Sequence, residues 1–145
     1  MNIKNILTKE QNAAIVSAIE SAELNTSAEL RIHIENKCKG DVLDRAVVVF
    51  SKLGMEKTEL RNGVLIYLAV GDRKVAILGD KGIDAVVPDD FWNSVYIAMA
   101  EKFKKGELCE GLCLGCALVG EKLKEYFPYA SDDVNELSNE ISFEE

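Results

Sequence analysis

The sequence predicts an α/β fold: a small mixed central sheet, with two parallel strands plus an antiparallel hairpin strand, sandwiched between helices. Three observations carry this. Residues 28–35 alternate strictly between apolar and polar, the two-residue period of a strand. Residues 63–70, GVLIYLAV, hold no charge, as in a central strand covered on both faces. Between them lies a helical apolar stripe, so a crossover joins the two strands, which are parallel and connected right-handedly. The 145 residues make one domain, long enough to bury roughly 68–70% of its unfolded surface.

The elements follow in order. Thr8 and Gln11 have capping-box spacing, and Ala14, Ile15, Ala18, Ile19 and Ala22 then give a first helix one apolar face. In the first strand Ala28, Leu30, Ile32 and Ile34 face one way; Glu29, Arg31, His33 and Glu35 face the other, which reads as a half-exposed strand at or near a sheet edge. Asp41 caps a second helix with the stripe Leu43, Ala46, Val47, Phe50 and Leu53, ended by Gly54. After the second strand, Gly71-Asp72-Arg73-Lys74 turns the chain tightly into a third strand over 75–78, so the pair is an antiparallel hairpin. Residues 79–84, GDKGID, read as a loop. Pro88, Asp89 and Asp90 read as a helix start. That helix carries Phe91, Val95, Met99 and Phe103 and stops at Gly106. A last helix runs over about 107–126, with Pro128 beyond it. The division expected is an α/β domain over 1–130 and an acidic C-terminal tail over 131–145.

The net charge is −8, from 25 acidic and 17 basic residues. That excess argues against nucleic acid, whose phosphates need a concentrated positive footprint. The tail holds six of the acids (Asp132, Asp133, Glu136, Glu140, Glu144, Glu145) and no base, so 19 acidic residues stand against 17 basic outside it. The charge is thus mostly a tail property, expected of a solvated or loosely docked segment. No apolar run approaches the ~20 residues of a membrane-spanning helix, and residues 1–7 lack the apolar core of a secretory signal. The expectation is a soluble, cytoplasmic monomer with no membrane or nucleic-acid partner.

Strands one and two, being parallel, begin at the same sheet end, and strand three finishes there. Three segments converge: 26–29, 61–63 and 79–84, with Asp89 and Asp90 close in sequence. This concentrates the oxygen donors Glu29, Asn62, Asp80, Asp84, Asp89 and Asp90. Hard cations such as Ca²⁺ take oxygens of this kind. The loop does not follow the EF-hand pattern, and acids around a glycine loop also serve as caps and turn formers. The opposite sheet end, with His33, Glu35, Lys37, Asp41 and Asp72, ranks second because it has fewer acids per loop.

Other motifs carry less. Cys109, Cys113 and Cys116 match an iron–sulfur spacing, but they lie on one helical face and read as buried thiols packing on the sheet. Cys38 and Arg45 are one residue too far apart for a cysteine-phosphatase loop. His33 is the only histidine and is expected to be an exposed strand residue. No Walker or dinucleotide glycine motif is present.

Thr26-Ser27-Ala28-Glu29-Leu30, Arg61-Asn62-Gly63-Val64-Leu65-Ile66, Gly71-Asp72-Arg73-Lys74 and Gly79-Asp80-Lys81-Gly82-Ile83-Asp84, followed by the Phe103…Gly106…Gly111 spacing and Phe127-Pro128, together resemble the TPM domain family over about residues 8–130. That family includes a plant thylakoid-lumen acid phosphatase and a photosystem II repair protein. The resemblance implies an α/β sandwich, a divalent-cation site usually of Ca²⁺, and phosphatase activity in a few members. It points to Asp80 and Asp84 as loop ligands. Two departures stand out: the chain shows neither the signal peptide nor the membrane segment that many members carry, so a stand-alone version is expected, and Arg61 replaces a common asparagine before Asn62-Gly63. The leading expectation is a domain binding Ca²⁺ or Mg²⁺ weakly, through Asp80 and Asp84 with Glu29, Asn62, Asp89 or Asp90 completing the shell. The alternatives are a metal-assisted acid phosphatase, with Arg61 clamping phosphate, and a protein-interaction module.

Overall fold

Thr8 accepts a hydrogen bond from Gln11 N, and the Gln11 side chain accepts one from Thr8 N, closing the predicted capping box on helix α1 (Lys9–Glu23). The structure is a computed structural model that describes residues 2–130 and 135–145. Strands β1 (Glu29–Glu35), β2 (Gly63–Ala69), β3 (Lys74–Gly79) and β4 (Ser142–Glu144) form one sheet in the order β3-β2-β1-β4. β1 and β2 are parallel, with Glu29 opposite Gly63, and β2 and β3 are antiparallel. The crossover between β1 and β2 is α2 (Val42–Lys52), capped by Asp41 as predicted. After β3 come a single turn of helix, α3 (Lys81–Asp84), then α4 (Asn93–Lys104) and α5 (Leu108–Leu123).

The sheet divides two cores. Leu30, Ile32, Ile34, Val64 and Ile66 face α1, α4 and α5. Leu65, Tyr67, Ala69 and Ala76 face α2 through Ala46, Val49 and Phe50. β2 is buried throughout, as an uncharged run should be. Close helix packing depends on glycine: a Cβ on Gly115 would lie 2.4 Å from Met99 Sδ, and one on Gly120 3.0 Å from the Ala22 backbone. Among the described residues, no helix is long and apolar enough to cross a membrane.

Four local expectations are corrected, and the tail takes the docked of its two expected states. β1 is an interior strand, and Glu29, His33 and Glu35 on its polar side are buried. The cause is β4, which pairs parallel with His33–Glu35 and fences that face together with α2. The end of the acidic tail is therefore docked: Ile141 is buried, and the Glu145 carboxylate accepts from Ile3 N at 3.1 Å. Asp132 and Asp133 lie outside the described residues. In α2, Val49 is buried while Leu43 and Val47 are exposed; residues 46–49 are apolar all round, so spacing alone does not choose the face. The 79–84 segment is α3, which Asp80 caps through Lys81 N. α4 begins at Asn93 rather than at Pro88, because residues 89–92 form turns that bury Phe91 before the helix starts.

Candidate functional site

The amino-terminal end of the parallel strands is built by three short segments. Met55–Lys57 form a turn of 3-10 helix after α2. Arg61 then turns the chain into β2 with a left-handed φ of 50°. α3 begins where β3 ends, and Gly82 packs against the 60–61 backbone: a Cβ there would lie 2.3 Å from Leu60 O and 2.6 Å from Arg61 O. Gly82 N donates to Arg61 O at 3.0 Å. Buried Ile83 anchors the turn from below.

Asp80 is buried, and the Arg61 guanidinium grips it in a bidentate pair. Asp84, one helical turn on, is exposed, and its carboxylate has no hydrogen-bond or ion-pair partner among the described residues. Its pKa is raised, first by partial desolvation and then by the charge of Asp80. Glu56 adds a third carboxylate that the sequence reading did not single out. Its charge acts on Arg61, and its Oε2 is buried with no hydrogen-bond partner among the described residues. Asp80 and Glu56 thus act on the guanidinium, and Asp84 lies beside Asp80. Glu56 sits in MEK, an unremarkable turn; its only sequence signal is its position just before Arg61-Asn62-Gly63.

The other predicted ligands have separate partners. Asn62 is buried, and its side-chain amide donates to Ser27 O at 3.1 Å. Glu29 accepts from Glu136 N and Leu137 N at 2.6 and 2.7 Å, so it ties down the C-terminal segment. Asp89 and Asp90 are exposed on the turn before α4.

The carboxyl end of β1 holds a different constellation. Among the described residues, the group of three His, Cys, Asp or Glu side chains whose ligand atoms lie within 4.8 Å of one another is His33, Glu35 and Glu144. The last comes from β4. His33, expected to be exposed, is buried: Nδ1 lies 2.9 Å from Ser142 Oγ and Nε2 2.9 Å from Glu35 Oε1. Burial lowers the His33 pKa, with Glu35 pulling the other way. Arg45 donates to both Glu35 oxygens at 2.9 and 2.8 Å, and Tyr67 donates its hydroxyl to Oε2. Burial alone would raise the Glu35 carboxyl, but Arg45, Tyr67 and His33 outweigh it and hold it at about 2. Glu144 is paired with Arg45 at 2.6 Å and Lys52 at 2.9 Å.

The two ends differ in charge. At the His33 end, two carboxylates meet two cations, and every carboxylate oxygen already has a donor. A metal ion there competes with Arg45 for Glu35, whose side chain is 3% exposed, and stripping a buried carboxylate of its partner is strongly unfavourable. At the Asp80 end, among the described residues, one carboxylate is unpartnered and one carboxylate oxygen is orphaned. The cysteines supply no rival centre. Cys116 is buried, burial pushes the Cys113 thiol up to about 11, and Cys109 lies 3.8 Å from Gln11 O of α1.

Comparison with known proteins agrees with this architecture. A sequence model of the TPM domain matches residues 2–122. The NMR structure of the BA42 protein from the psychrophilic bacterium Bizionia argentinensis is 48% identical, with 99% of each chain covered and a TM-score of 0.92. The N-terminal domain of a protein from P. gingivalis shares the fold at 18% identity (86% of this chain, 81% of that one, TM-score 0.70). So does the N-terminal domain of the cg2496 protein from Corynebacterium glutamicum at 14% identity (96% and 80%, TM-score 0.63). No curated protein matches the chain.

Proposed function

The chain belongs to the TPM domain family, and from that premise we propose that it is a divalent-cation-binding domain whose cation is held beside Asp80 and Asp84. The observation that carries this reading is the surplus of carboxylate at this end of the sheet: among the described residues Asp84 is unpartnered next to Asp80, and Glu56 has a buried, orphaned oxygen. Such a group gains by meeting a cation. Asp80 and Asp84 would hold the ion, with water filling the remaining positions and the Glu56 charge nearby. Few carboxylates plus several waters suit Mg²⁺; the same few ligands bind Ca²⁺ weakly, in about the 10⁻⁴–10⁻³ M range of open sites. When bound, the ion would supply charge neutralisation at the 80–84 turn and fix α3 against the start of β2.

Calorimetric titration with Ca²⁺ and with Mg²⁺ tests the reading. Asp84→Asn keeps the shape of an exposed side chain and removes its charge, so the affinity should weaken by about tenfold, the loss of one direct carboxylate. Equal uptake by wild type and Asp84→Asn places the ion elsewhere. The phosphatase reading asks more of the site. Arg61 Nε and Nη2 both donate to Asp80, so a phosphate clamp would first have to release that pair. Chelator-sensitive turnover of a phosphomonoester would favour it.

A further inference from the structure

A groove of about 630 Å³ opens between the lead-in to α4 and the end of α5. Phe91 and Tyr126 form its aromatic wall, with ring centroids 5.5 Å apart and edge to face. Ile97 adds an apolar side chain that is 56% exposed. Asp90, Glu121 and Glu125 stand on the rim. The one lining cation, Lys122, is turned inward: its ammonium lies 4.8 Å from the centroid of the Phe91 ring and 3.4 Å from Ser94 Oγ.

We propose that this groove receives a basic peptide segment, a lysine or arginine side chain carried next to an apolar residue. Such a segment complements the groove in charge and in apolar surface. The rim carries three acids against Lys122, and of these Glu121 alone has an ion-pair partner among the described residues, Lys124 at 3.0 Å. The wall is aromatic, and an aromatic face attracts an ammonium or guanidinium most strongly where water is partly excluded. Lys122 marks the seat: an internal ammonium already occupies the face that a partner's cation would take. Exposed Ile97 and Tyr126 supply apolar contact for the neighbouring residue of the peptide. This reading is independent of the cation site at Asp80.

Trp92 is the only tryptophan, and its ring lies 4.7 Å from that of Phe91, so its fluorescence reports on the groove. The full chain is titrated, with chelator present, with an acetylated and amidated peptide of alternating lysine and leucine, and with the glutamate–leucine counterpart. The lysine peptide should change the emission saturably and the glutamate peptide should not. Glu121→Gln with Glu125→Gln should weaken binding about fivefold, as expected for two exposed charges. Lys122→Met should tighten it about threefold by vacating the aromatic face. An unchanged affinity in the glutamine variant means the peptide follows only the overall negative charge, and overturns the proposal. So does an unchanged or weaker affinity in Lys122→Met.

Discussion

Arg61 lays its guanidinium flat against the Asp80 carboxylate, Nε to Oδ2 at 2.6 Å and Nη2 to Oδ1 at 2.8 Å. The same Asp80 caps α3 through Lys81 N. Arg61 is therefore an internal cation at the place where an external one is proposed, and the two compete for one carboxylate. Arg61→Gln should bind Ca²⁺ about tenfold more tightly than wild type, the effect of removing one adjacent positive charge. It should also melt at a lower temperature without Ca²⁺ and recover when Ca²⁺ is added. Calorimetry and thermal unfolding with and without the ion check both halves.

Gly82 holds α3 against the 60–61 backbone. Gly82→Ala puts a methyl 2.3 Å from Leu60 O, a contact that backbone must move to relieve. The expected loss of stability is about 1–3 kcal/mol, typical of overpacking. Because the shift separates Asp80 from Arg61, the variant should also alter cation uptake. Denaturant unfolding and calorimetry on the same preparation link the two.

Glu23 sets a pH dependence. Burial raises its carboxyl to about 7, against a hydrogen bond from Leu30 N and with added repulsion from Glu29. A folded-state pKa above the unfolded value means the folded state holds the proton more tightly. The contribution is complete below about pH 4.5 and disappears as pH rises through about 7. Stability from this group should thus fall by on the order of 1–3 kcal/mol across that window. Glu23→Gln, which still offers an oxygen to Leu30 N, should flatten the fall and stabilise the protein at pH 8. Urea midpoints measured from pH 4 to 8 on both proteins show it.

At the other end of the sheet, the two cations should differ in weight. Arg45 faces Glu35, whose side chain is 3% exposed, whereas Lys52 is 54% exposed. Arg45→Met leaves a nearly buried carboxylate with only Tyr67 and His33 and should cost about 3 kcal/mol. Lys52→Met should cost less than about 1 kcal/mol. Thermal melts at neutral pH separate the two.

Patterns that depend on one element alone were legible in the sequence. The Thr8 capping box, the Asp41 cap, the covered strand β2 and the 71–74 hairpin all have local causes. What was hidden depends on distant pairing. β4 is a three-residue strand in an acidic stretch, and it exists only because β1 offers an edge. Without it, β1 reads as half-exposed and His33 as solvent-facing. The convergence of the 61–63 and 79–84 segments followed from connectivity, so the Arg61–Asp80 neighbourhood was within reach. Glu29 was not, because its partners are backbone amides over a hundred residues away. Glu56 was missed because turn residues before a strand carry no periodic signal.

The central claim is that a divalent cation seats beside Asp80 and Asp84 rather than at the His33 group. A Ca²⁺ titration followed by ¹⁵N–¹H correlation spectra of the full chain decides between the two ends. The account predicts saturable shifts at Glu56, Arg61 and residues 80–84, with His33, Glu35 and Glu144 left in place, and their loss in Asp84→Asn. Shifts centred on His33, Glu35 and Glu144, or a titration that leaves residues 80–84 unmoved, would contradict it.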